Sequence, residues 1–276
     1  MVGVDIRTIE SLAALRNDFD HDPEKPHQLD FNLLVVFTHG KARHFIDFEW
    51  HDVGENTVLH LSKGQINAFE FSPSIEGFII PFTDDYLSYQ LSILPKGKLI
   101  RLFNSQVFSA KIDINASPEI TEYTRLFYKE FYQEKLTKNK QSVCNSLFAI
   151  IFSKLEVLKQ DAFHHLDSSR HLRAFLEFRS LLATHYTVSR NADFYADRMH
   201  ITYKHLNSIC KELVDSTAKQ LIDQFVILEA KRKLINSTVR STQLAYMLGF
   251  EEATNFVKYF KKHTGLTPNN FKNKYI

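Results

Sequence analysis

Cysteine and glycine are both scarce in this sequence, at 2 and 8 of 276 residues. Glycine-rich loops that cradle phosphates need backbone that can approach the ligand closely, so a chain this poor in glycine is a weak candidate for a phosphate-loop or dinucleotide enzyme. Cys144 and Cys210 lie in separate helical patterns, neither in a metal-binding or redox spacing, and are expected to be reduced, buried thiols. No apolar run approaches the 18 residues that a membrane span needs. The opening MVGVDIRTIESLAALRND is broken by charge too often for a signal peptide. These absences predict a cytoplasmic chain with no membrane partner. No Ser-His-Asp arrangement is visible either, so no catalytic residues are assigned.

The 44% hydrophobic content over 276 residues suffices for a sizeable core and more than one domain. A net charge of +2 hides an asymmetry. Residues 1–167 hold 17 Lys and Arg against 23 Asp and Glu, while residues 168–276 hold 17 against 9. A basic module joined to an acidic one points to a polyanionic partner for the C-terminal part alone.

Residues 31–82 alternate in the manner of short strands: FNLLVVF (31–37), RHFIDFEW (43–50), NTVLHLS (56–62), NAFEFS (67–72) and GFIIPF (77–82). The spacing predicts a small antiparallel barrel or sandwich. Helices are predicted over 118–135 and 140–160. In the second, Leu147, Ile151, Leu155 and Leu158 fall on one apolar stripe, a candidate homodimer seam or a face packed on the barrel. The polar stretch 161–171 reads as a linker. Seven short helices follow, over 170–184, 191–198, 202–213, 217–235, 241–248, 252–263 and 268–274. The expected organisation is α+β: a barrel over 1–115, a helical segment over 116–166 that would dimerise and link, and an all-α domain over 167–276.

Within the helical domain, NADFYADRMHITYKHLNSICKEL (191–213) and STQLAYMLGFEEATNFVKYFKKH (241–263) share one layout, a short helix, a tight turn and a second helix. Two helix-turn-helix units account for it. At 100° per residue the last helix buries Phe256, Tyr259, Phe260 and His263 and turns Thr254, Lys258, Lys261 and Lys262 outward. Its counterpart buries Leu206, Ile209, Cys210 and Leu213 and presents Lys204, Asn207, Ser208 and Lys211. Lysines beside small polar residues on one helix face suit a DNA groove. By position along the helices, Lys204, Asn207, Ser208, Thr254 and Lys258 are expected to read bases, and Lys211, Lys261 and Lys262 to meet phosphates. The helix between the units, about 28 Å long, can hold two recognition helices roughly one DNA turn apart.

LAYMLGFEEATNFVKYFKKHTGLTPNNFK (244–272) resembles the signature of the AraC/XylS family of bacterial transcription regulators, through its Gly249-Phe250, Phe256, Phe260-Lys261-Lys262, Gly265 and Thr267-Pro268 positions. ADRMHITYKHLNSICKEL is similar to that family's first unit and ILEAKRKLINS (227–237) to its connecting helix. The likeness reaches the N-terminal half more weakly, where FNLLVVFTHGKARHFIDFEWHDVGENTVLHLSKGQINAFEF resembles a cupin-like sensor barrel. The sequence departs from the pattern at Lys272 and Val226, where Arg is usual, and at the first turn, which lacks glycine. The resemblance implies a regulator that binds double-stranded promoter DNA, works with RNA polymerase, and is controlled by a small organic effector in the barrel. Candidate lining residues are Leu34, Val36, His44, Ile46 and Phe48.

Two rival readings stand beside it. Cupin barrels also carry metal-dependent enzymes, whose sites need two or three imidazoles and a carboxylate converging on one ion. Here His39, His44, His51 and His60 show no His-x-His spacing, and Asn67 stands where related sensors often carry His, so no metal or other cofactor is expected. The other rival is a DNA-binding protein without an effector, in which the eleven Phe of residues 1–110 are simply core.

Overall fold

The computed structural model describes residues 3–14, 22–70, 72–93, 109–133, 139–162, 170–236 and 239–275. The chain forms two compact units, Met1–Phe163 and His164–Ile276.

The first unit runs β1 (Arg7–Thr8), α1 (Ile9–Ala14), β2 (His27–Gln28), β3 (Asn32–His39), β4 (Lys41–Ile46), β5 (Glu49–Gly54), β6 (Thr57–Leu61), β7 (Ile66–Phe69), β8 (Glu76–Phe82), α2 (Asp84–Ile93), β9 (Lys111–Asp113), α3 (Glu119–Tyr132) and α4 (Lys140–Ala162). Five strands form one antiparallel sheet in the order β1-β8-β3-β6-β9, and four form a second in the order β2-β7-β4-β5. Strand spacing allowed a barrel or a sandwich and the family resemblance implied a cupin-like barrel, but no ladder joins the two sheets among the described residues. The strands that would have to close it on one side, β1 and β2, are two residues long. The result is a pair of open sheets.

Strand β3 explains the layering. Its first six residues are all buried, so it is covered on both faces and reads as a continuous apolar run. Leu33, Val35 and Phe37 join Ile46, Val53, Leu59, Leu61, Phe69 and Ile79 in one core, between the sheets. Leu34 and Val36 point the other way, into a second core with Val58, Ile80, Phe82 and the helical residues Phe127, Phe148, Ile151, Phe152 and Leu155. The five-stranded sheet therefore needs a helical cover on its outer face, and α3 and α4 supply it.

This arrangement corrects the expected dimer seam. Ile151 and Leu155 have no exposed surface, and Leu147 and Leu158 pack partly buried against the same core. The stripe that the sequence displays on α4 is its sheet-facing side. Length and apolar composition over Lys140–Lys159 would also suit a membrane crossing, but here the most apolar side of the helix is covered by the sheet. Cys144 is buried in that core.

The second unit is α5 (Arg170–His185), α6 (Ala192–Arg198), α7 (Tyr203–Val214), α8 (Ala218–Asn236), α9 (Ser241–Met247), α10 (Ala253–Thr264) and α11 (Pro268–Tyr275). All seven expected helices are present. Missed in the sequence were α1, α2 and the short strands β1, β2 and β9, and the segment 43–50, expected as one strand, turns at Asp47 and Phe48 from β4 into the antiparallel β5. Of the expected linker 161–171, residues 163–169 lie outside the described residues.

Candidate nucleic-acid interface

Two helix pairs, α6–α7 and α9–α10, are built by the same local chemistry. Each turn is held by an amide returning to the first helix, Ile201 N–H to Ala196 O and Phe250 N–H to Ala245 O, both at 3.0 Å. Each turn also needs one left-handed residue, His200 at φ +55° and Gly249 at φ +74°. The missing glycine of the first turn is thus tolerated rather than avoided, at a steric cost of about 1–2 kcal/mol for a residue with a Cβ. Asn191 caps α6 by accepting from Asp193 N–H, and Thr202 caps α7 by accepting from His205 N–H. Helices α7 and α10 end alike, with Asp215 and Gly265 left-handed and their N–H groups donating to Lys211 O and Lys261 O.

The apolar faces come out largely as the periodicity predicts, except that Leu213 is only half-buried and His263, at the end of α10, is exposed. Leu206, Ile209 and Cys210 of α7 and Phe256 and Phe260 of α10 are fully buried. Burial pushes the Cys210 thiol up to about 12, which makes it a core side chain rather than a reactive one. Tyr259 is half-buried, and its hydroxyl donates to Asp223 Oδ1 at 2.8 Å. That burial and that bond hold the phenol well above its ordinary pKa. His263 Nε2 lies 3.9 Å from the other Asp223 oxygen, and Lys219 pairs with the same carboxylate. Asp223 of α8 therefore anchors one side of α10.

Of the expected DNA-facing side chains, Lys204, Ser208 and Lys211 are exposed on α7, and Thr254, Lys258, Lys261 and Lys262 are exposed on α10. The Thr254 hydroxyl lies 3.2 Å from a Glu252 carboxylate oxygen. Asn207 differs. It is half-buried, and its side-chain oxygen accepts from Ala218 N–H at 2.8 Å. Its amide oxygen is committed to the first turn of α8.

Sequence reasoning passed over Arg190. Its guanidinium lies 3.8 Å from the centre of the Phe250 ring and donates to the carbonyls of Leu248 and Gly249. No periodic pattern could have revealed this, because the partners are about sixty residues apart and Arg190 sits between helices.

In the first unit, a cavity of about 430 Å³ is lined by Leu12, Leu29, Leu33, Phe69 and Ile79, with Arg7, His27 and Asn67 among its polar groups. A hydrogen-bond chain runs behind it. His44 Nε2 donates to Asn67 Oδ1 at 2.6 Å, and Asn67 Nδ2 donates to His27 Nε2 at 3.0 Å. The His27 proton then sits on Nδ1 and goes to Lys25 O. Desolvation drives the buried His44 down to about 3, so it is neutral.

None of the five expected lining residues touches this cavity. Leu34 and Val36 face the helices, Ile46 is in the inter-sheet core and His44 lies behind Asn67. Phe48 forms the β4–β5 turn with Asp47, at φ +77° and +47°. The inward face of a strand depends on which residues pair, and that register is not written in one strand alone. Among the described residues, no three His, Cys, Asp or Glu side chains are grouped as a metal ion would require.

A profile for a helix-turn-helix domain matches residues 195–274. The HTH-type transcriptional activator RhaR of Mannheimia succiniciproducens is 21% identical over 255 residues, which is 91% of this chain and 87% of RhaR. Among solved structures, ToxT of Vibrio cholerae is 12% identical, with 98% of each chain covered and a TM-score of 0.49. An AraC-type regulator from Chromobacterium violaceum is 15% identical over 38% of this chain and 93% of its own, with a TM-score of 0.35. The doubled helix-turn-helix, the profile match over 195–274 and the likeness to RhaR along most of its length make the C-terminal part a helix-turn-helix domain and the whole chain similar to the DNA-binding transcription regulators of the AraC/XylS family.

Proposed function

We propose that the chain is an effector-controlled activator that reads promoter DNA through α7 and α10, each in one major groove. The observation that carries this reading is the repeated unit itself: two equivalent helices, each with a fully buried apolar face and exposed lysines opposite, in a half of the chain with a net charge of about +8. Lys204, Ser208, Thr254 and Lys258 are the side chains we assign to bases, and Lys211, Lys261 and Lys262 those we assign to phosphates. Activation is the action for which RhaR is named, and RNA polymerase is the partner it implies. Such a protein works in the cytoplasm, and its family is one of regulators rather than enzymes.

The effector reading is supported by the cavity between the sheets, which joins an apolar wall to the His27 and Asn67 polar cluster, the composition usual for small-molecule sites. Self-association belongs to the same reading, but on a different face of α4. Val143, Ile150 and Val157 recur every seven residues and are exposed by 41%, 39% and 52%.

The test is a fluorescence titration of the full chain. Duplex selected by the protein from a random pool should bind at least about tenfold more tightly than a scrambled duplex at physiological salt. Affinity should fall steeply as salt rises. Equal affinity for both duplexes would refute sequence-specific reading.

A further inference from the structure

We propose that Arg190 is a positioning residue that locks the second helix-turn-helix unit against the first and thereby sets the spacing of the two DNA half-sites the protein accepts. The proposal rests on the DNA-binding function given above and adds to it the device that fixes the distance.

The covalent route between the units is narrow. Helix α8 ends at Asn236 and α9 begins at Ser241. A single short connection of this kind leaves the second unit free to pivot unless something else holds it. The structure supplies a second tether from an unrelated part of the chain, the segment 186–190 between α5 and α6.

That segment is fixed on the side of the first unit. The Tyr195 hydroxyl donates to Ser189 O at 2.7 Å, and Asn191 N–H donates to Ser189 Oγ at 3.1 Å. The Tyr186 ring meets Phe225 of α8 at 5.2 Å. Arg190 then reaches from this platform to the turn of the second unit. Its Nη1 donates to Leu248 O at 3.1 Å and Gly249 O at 3.2 Å while its plane covers Phe250. Phe250 in turn packs on Phe256 and Tyr259 of α10. One side chain therefore connects the platform of α6 to the recognition helix of the other unit.

Close approach of the two backbones is built in. A Cβ on Gly249 would lie 1.7 Å from Thr187 O. Glycine at this position meets two demands at once, a left-handed turn and contact with segment 186–190. On its other side α10 is held by Asp223 of α8 through Tyr259. Helix α8 also packs on α9 and α11, and Arg190 adds an attachment from a different element, which restrains the rotation that packing on α8 alone would permit.

Inserting one base pair between half-sites rotates the second by about 34° and moves it by about 3.4 Å. A pivoting second unit absorbs that change; a clamped one does not. Full-length protein is titrated with the duplex it selects from a random pool and with the same duplex lengthened by one central base pair. Wild type is expected to lose roughly tenfold or more on the longer duplex. R190A is expected to shrink that ratio by at least about threefold, with R190K and F250L in between because each removes only part of the clamp.

A change of less than twofold in the ratio for all three variants overturns the clamp, even if they bind both duplexes more weakly, since a purely structural role lowers both affinities alike. A wild type indifferent to the insertion overturns it as well. Failure of the wild type to select any duplex overturns the DNA-binding reading instead. R190K and F250L keep the test decisive if R190A does not fold.

Discussion

The side-chain oxygen of Asn207 accepts a hydrogen bond from the backbone N–H of Ala218 at 2.8 Å, and the equivalent pair fifty residues later is Val257 and Pro268. The two differences compensate each other. Where the helix after α7 begins with Ala, its free N–H needs an acceptor, and Asn207 provides one. Where it begins with Pro there is no N–H, and an apolar side chain takes the place of the amide. The remaining orphan donors of α8 are treated conventionally: Thr217 and Gln220 exchange side-chain and backbone bonds as a capping box.

It follows that Asn207→Ala should be a stability variant rather than a specificity variant. Loss of the cap should cost about 1 kcal/mol, within the range for removal of an N-terminal helix acceptor. The sequence logo from a binding-site selection should stay unchanged. A logo altered at one or two positions, without a drop in melting temperature, would restore Asn207 to the base-reading set.

Lys258 and Lys261 should separate by the kind of loss they cause. Both are exposed on α10, but Lys258 lies nearer the N-terminal end, the end proposed above to enter the groove. Lys258→Ala should relax preference at one or two base pairs, by about 1–3 kcal/mol against the favoured base. Lys261→Ala should weaken all sequences together and lower the salt slope by about one unit. Selection and salt titration on both variants measure the difference.

The outer side of α4 gives a clean contrast with its inner side. Replacing Ile150 and Val157 by Lys should leave the first unit folded and shift any self-association seen by sedimentation toward monomer. Replacing Ile151 by Lys should instead unfold the unit, because it puts a charge into a core position with no exposed surface. Wild type that sediments as a monomer at tens of micromolar would remove the outer face from consideration.

How far the sequence disclosed this molecule depended on how local the information was. Helices α7 and α10 were legible because Phe256 and Phe260, or Leu206 and Ile209, follow a period set by one helix. Strands β3, β6, β7 and β8 were legible from their apolar, β-branched and aromatic content, but 43–50 hid the β4–β5 turn at Asp47 and Phe48. What failed required knowledge of partners. The stripe of Ile151 and Leu155 shows which side of α4 is apolar, but not that a sheet already covers it. Leu34 and Val36 alternate correctly with Leu33 and Val35, yet a strand buried on both faces gives no sign of which face borders a cavity. Asn207 looked like a DNA contact because its bond to Ala218 crosses from one helix to the next, and Arg190 escaped notice for the same reason on a longer scale.

The buried His44 makes a last prediction, on acid stability. In the folded chain its pKa lies at about 3, held there by desolvation, against about 6.5 for an unfolded histidine. Between these values the unfolded state binds one proton more than the folded state. Stability therefore rises with pH across this window and is lost as pH falls below about 6.5, on the order of 1.4 kcal/mol per pH unit. The contribution is fully present above 6.5. His44→Gln keeps a donor for Asn67 and cannot titrate, so the difference in stability between wild type and variant should shrink by that slope on acidification. The single tryptophan of the chain, Trp50, reports on the right unit, since it stands on β5 directly opposite Phe45, the residue after His44. Urea unfolding followed by Trp50 fluorescence at pH 7, 6, 5 and 4 gives the slope for each protein. Parallel slopes would show that His44 takes up its proton without unfolding, and that the His44, Asn67 and His27 chain opens more easily than its burial implies.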